Sequence, residues 1–164
     1  MYRYTFLFFN KISVRDYIWR CTHPDDWGVA TLNISGNDTT LKNLTIQNTY
    51  GFEINTSIVY CASVTIENFS KKIRKDGHQM ALRTFATTRL KVINCILKAF
   101  GGDTVSPRSV TDGMFYFKDC TMMGGVDFYC PRGWAYAENC TFIATRALPV
   151  FGMMALRMKM LKPY

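Results

Sequence analysis

No apolar run in this chain is long enough to cross a membrane as a helix. The longest nearly unbroken apolar stretch, Ala147 to Leu156, is cut by Pro149 and Gly152, whereas a spanning helix needs roughly 20 residues. C-x-x-C is also absent, and only His23 and His78 could join the six cysteines (21, 61, 95, 120, 130 and 140) in a metal site. That composition argues against zinc. A convincing secretory leader is missing too: the apolar patch Phe6 to Phe9 is shorter than the about 7–15 residues of an h-region. No Asn-Gly or Asp-Gly pair lies between alternating strands; Asp76-Gly77 and Asp112-Gly113 instead precede strands. Tight two-residue hairpins, and the sandwiches built from them, are therefore disfavoured.

What remains is a chain of 164 residues, 48% hydrophobic, 15% aromatic and 20% charged, which excludes intrinsic disorder and suits one domain. Twenty Lys and Arg against 12 Asp and Glu give a net charge of +8, compatible with an anionic partner without naming one. The basic run Lys71 to Lys75 reads as a solvated loop and not as a nucleic-acid site. Four of the nine methionines (Met153, Met154, Met158 and Met160) crowd the last twelve residues.

An internal repeat dominates the rest. The segments Leu41–Ile46, Val64–Phe69, Leu90–Cys95, Phe115–Cys120 and Trp134–Cys140 are short β-rich runs, each with a polar Asn or Asp. The markers Asn43, Asn68, Asn94, Asp119 and Asn139 follow one another at 25, 26, 25 and 20 residues. Such spacing predicts an all-β solenoid, whose coils stack with their strands parallel because one coil cannot bury its own apolar face. The marker Asn and the recurring Cys95, Cys120 and Cys140 are expected in an inward ladder. Six Asn-x-Ser/Thr triplets, at Asn33, Asn37, Asn43, Asn55, Asn68 and Asn139, read as coil-corner chemistry.

A second set of polar residues keeps the same beat outside that ladder. Gln79, Asp103 and Asp127 are separated by 24 and 24 residues, so on stacked coils they would form a column about 4.8 Å apart. Two carboxylates that close cannot both ionise freely, which provides an acid beside a nucleophile, and a carboxamide can hydrogen-bond an oxyanion. The kit suits acyl transfer or glycoside cleavage. A blander reading has both aspartates capping glycine turns, Gly101-Gly102-Asp103 and Gly124-Gly125-Val126-Asp127.

At these positions the chain resembles the pectin methylesterase family, in its bacterial branch. Asp103-Thr104-Val105 is similar to the family's Q-D-T-L block, Gly125 to Phe128 to G-x-V-D-F, and His78 to Arg83 to Q-A-V-A-L-R. Ile34 to Asp38 with Leu44 to Thr49 resembles the stretch ending N-L-T-F-Q-N-T. The resemblance implies a right-handed parallel β-helix that removes methyl esters from polygalacturonate (pectin) outside the cell or in the periplasm. It requires no cofactor and no metal. It implies that Asp127 is the nucleophile, Asp103 the general acid and base, and Gln79 the oxyanion donor. Three departures stand out: Gly102 replaces the Gln of Q-D-T-L, the Gln79 block is one residue short, and the later Trp- and Arg-bearing segment is missing. A catalytically dead polysaccharide-binding or structural remnant is therefore the alternative.

The expected organisation is an unmatched segment over 1–15, a partial β-helix over 16–150 that is incomplete at its C-terminal end, and an unmatched tail over 151–164. One permitted choice of codons for the tail reads W-H-D-G-S in another frame, like a bacterial segment found after the nucleophile, so the tail is expected to be out of frame. A stack ending part-way is expected to self-associate through its exposed end.

Overall fold

The computed structural model describes the backbone of residues 6–10 and, with side chains, residues 30–49, 52 and 78–145. Cys21, His23, Asn55, Cys61, the Val64–Phe69 segment, Lys71 to Lys75 and the 151–164 tail lie outside the described residues. Among the described residues twelve strands are assigned: β1 Phe6–Asn10, β2 Ala30–Ile34, β3 Thr40–Lys42, β4 Leu44–Asn48, β5 Met80–Thr84, β6 Leu90–Ile93, β7 Ile96–Lys98, β8 Val105–Ser106, β9 Met114–Lys118, β10 Thr121–Gly124, β11 Trp134–Glu138 and β12 Thr141–Ala144. They form three parallel sheets ordered β1-β4-β7-β10-β12, β11-β9-β6-β3 and β2-β5-β8. Each turn of the chain visits the three sheets in sequence, so the molecule is a parallel β-helix. Among the described residues no helix is long and apolar enough to cross a membrane.

The inward residues of successive coils pack on one another. Ile46, Leu97, Met122 and Phe142 are in register down the first sheet, and Leu41, Val92, Phe117 and Ala137 down the second. Phe117, fully buried, sits over Val92 and beside Tyr129, ring centroids 5.5 Å apart. Between them, outward residues such as Lys91, Tyr116 and Lys118 alternate in the way a half-buried strand requires.

The asparagine ladder faces outward, contrary to the sequence expectation. Asn43, Asn94, Asp119 and Asn139 all have φ between 49° and 58°, the left-handed region that short polar side chains tolerate. Their job is to turn the chain from the second sheet into the first. Asn94 donates to Asn43 Oδ1 at 2.7 Å and Asn139 to Asp119 Oδ1 at 2.6 Å, at the surface. The cysteines one residue later do point in, and Cys95 and Cys120 are 1% exposed.

The repeat also needs one correction. β3 pairs directly with β6 and β4 with β7, so Asn94 follows Asn43 in the ladder and no rung lies between them. The short final interval has a local cause. Arg132 pairs with Arg108, yet Trp134 pairs with Met114, so Gly133 replaces the turn 109–113 of the coil before. At the other end, β1 pairs with β4, so five residues of the unmatched 1–15 segment extend the first sheet.

Candidate functional site

The third corner, where the first sheet hands the chain to β5, β8 and their successor, carries Gln79, Asp103 and Asp127. His78 bridges Gly102, and Val105 bridges Tyr129, both at an offset of 24 residues. Gln79 N donates to Gly102 O at 3.0 Å and Gly125 N to Gly101 O at 2.7 Å. The three residues thus occupy equivalent positions on three successive coils. A bulge follows immediately: Ala81 N and Leu82 N both donate to Thr104 O, so two residues of β5 oppose one.

Tight packing fixes the turns behind the aspartates. A Cβ on Gly124 would lie 2.3 Å from both Phe128 Cβ and Thr104 Oγ1, so only glycine fits there. Phe128 and Tyr129, both fully buried, anchor the chain just after Asp127. Asp103 and Asp127 have φ of 54° and 49°. This is not itself a mark of catalysis, because Asp38 and Arg89 at another corner, with φ of 57° and 55°, do the same.

Exposure is graded along the column. Gln79 has no exposed surface, Asp103 is 6% exposed, and Asp127 is half-buried. Asp127 is therefore the carboxylate most open to a ligand. Gln79 reaches an incoming group only if its cover moves.

Arg132 joins this constellation. Its Nη1 donates to Ser106 Oγ at 2.8 Å and its Nη2 to Asp103 Oδ2 at 3.3 Å. The guanidinium places a positive charge against the acidic column. Its backbone is clamped as well, because Arg132 N donates to Pro107 O and Ser109 N to Arg132 O. Only the 24-residue offset from Arg108 hinted that Arg132 lies on the same wall as the aspartates.

Cys130 registers the charges from inside. Its thiol is pushed up to about 11, mainly by burial, then by the negative charge of Asp103, with Asp127 adding to it and Arg132 and Arg83 opposing. Arg83 is itself buried, its guanidinium 4.7 Å from the Phe85 ring centroid. Among the described residues no three His, Cys, Asp or Glu side chains gather as a metal site would require.

A Cβ on Gly102 would lie 2.8 Å from Val126 O. The glutamine of the Q-D-T-L pattern therefore cannot be restored at this position without moving the neighbouring coil.

The stack has a known counterpart. Its coils resemble those of a pectin methylesterase. Pectin methylesterase PemA from Erwinia chrysanthemi matches with a TM-score of 0.63 and 25% identity, over 86% of this chain and 38% of that one. The chain thus spans well under half the length of the protein it matches. No protein-family model matches the sequence, and neither does any curated protein.

Proposed function

We propose that this chain carries the acid column of a carboxylic ester hydrolase that removes methyl esters from polygalacturonate. One observation carries the reading: Asp103 and Asp127 stand in register on adjacent coils of a fold shared with a pectin methylesterase. In this reading the Asp127 carboxylate attacks the ester carbonyl carbon. Asp103 gives a proton to the departing methanol, leaving the sugar acyl group on Asp127 as an anhydride. Asp103 then takes a proton from water, whose oxygen attacks the acyl carbon and frees the galacturonate and Asp127. Gln79 serves the oxyanion once substrate has opened the floor above it, and Arg132 holds Asp103 in place.

A second reading has its own support. With Gly102 in place of a side-chain donor and Gln79 enclosed, a polysaccharide-binding β-helix without turnover is the alternative. Methanol release from methyl-esterified polygalacturonate, measured beside binding of the same polymer, separates them. Release that disappears in Asp127→Ala supports the hydrolase; binding without release supports the second reading.

A further inference from the structure

Away from the acid column, the outer face of the β11-β9-β6-β3 sheet holds a cavity of about 540 Å³. Its walls are two columns of stacked side chains. Tyr136, Tyr116, Lys91 and Thr40 follow one another in strand register. Beside them run Trp134 and Met114, then Arg89 and Asp38, the last two joined by an ion pair. The groove therefore crosses four coils, about 14 Å at the usual strand spacing.

Its two ends differ in chemistry. At one, the Tyr116 and Tyr136 rings stack with centroids 5.7 Å apart and planes within 7°. The Tyr116 hydroxyl donates to Glu138 at 2.6 Å, which fixes that ring. Trp134 and Met114 next to them are 55% and 48% exposed, unusual for large apolar side chains that share one concave wall. At the other end, Arg89 and Lys91 outnumber Asp38, and Lys91 makes no ion pair among the described residues.

We infer that this groove is a second, non-catalytic sugar-binding site for a uronate chain. A uronate ring has an apolar C–H face to lay on Trp134 and the tyrosines, and a carboxylate for Lys91 and Arg89. Neutral sugars satisfy only the first end. An elongated groove suits several linked sugars better than one small ligand. The choice of polymer rests on the function proposed above. The site holds the substrate chain away from the acid column, so that binding and hydrolysis are separable.

The test is titration of the full chain with an unesterified galacturonate oligomer, followed by tryptophan fluorescence and calorimetry. Trp134→Ala and the exposed Lys91→Gln are each predicted to weaken binding, about tenfold and threefold. A neutral galactose oligomer is predicted to bind more weakly than the acidic one. Unchanged affinity in both groove variants, or no binding to the wild type, would overturn the site. So would preferential capture of a single-stranded oligonucleotide at the groove. Methanol release, assayed in parallel, reports separately on the hydrolase reading: binding that maps to Trp134 without methanol release leaves the groove standing and removes the enzyme.

Discussion

At the corner from the second sheet into the first, one residue of each described coil enters left-handed backbone, and the side chain chosen there controls stability more than its surface position suggests. Asn94, with φ of 49°, is exposed, yet a β-branched side chain at that angle is strained. Asn94→Val is predicted to cost about 1–2 kcal/mol in a urea melt, while Asn94→Gly costs less. Outward ion pairs act more gently. Lys118 and then Tyr116 hydrogen-bond Glu138 and hold its carboxyl below the ordinary carboxylate range. A depressed folded value means that the stabilisation is present above the unfolded value and is lost as pH falls through the folded one. The melting temperature of Glu138→Gln should therefore lie below wild type near neutral pH and converge with it in acid. Equal melting temperatures at neutral pH would contradict this.

At the scale of the element, Gly102 shows why local identity and coil register must be considered together. Restoring glutamine there looks from the sequence like a repair. With Val126 O 2.8 Å from the new Cβ, Gly102→Gln is instead predicted to lose about 1–3 kcal/mol of stability by overpacking. It should bring no gain in methanol release; a faster, equally stable variant would refute the packing argument. Much of this level was legible. Short strands punctuated by Asn and Asp announce a parallel stack, because only a few residue types tolerate the corner. The 24-residue beat of Gln79, Asp103 and Asp127 reappears as strand register. Two things were hidden for physical reasons. One is the 51-residue step from Asn43 to Asn94, because composition cannot reveal that β3 bonds directly to β6. Arg132 meets Asp103 from 29 residues away through a side chain, a contact that no period encodes.

Across the whole molecule, polar work is divided between corners and faces. Among the described residues, the core is made by stacked apolar columns, the corner from the second sheet into the first by left-handed Asn and Asp, and the acid column occupies a corner whose turns are packed by glycine and buried aromatics. The likeness to PemA covers 86% of this chain but 38% of that protein, so the hydrolase reading stands on the column itself. The accessible member, Asp127, bears the chemical load in that reading, and because its backbone is left-handed, with φ of 49°, its replacement by Ala is expected to cost about 1 kcal/mol of stability without unfolding the chain. The most direct measurement is the rate of methanol release from methyl-esterified polygalacturonate by the wild type and by Asp127→Ala, both assayed well below their melting temperatures. Release by the wild type and a fall of about a thousandfold or more in the variant are predicted. Equal rates, or no release from the folded wild-type chain, would contradict the hydrolase reading.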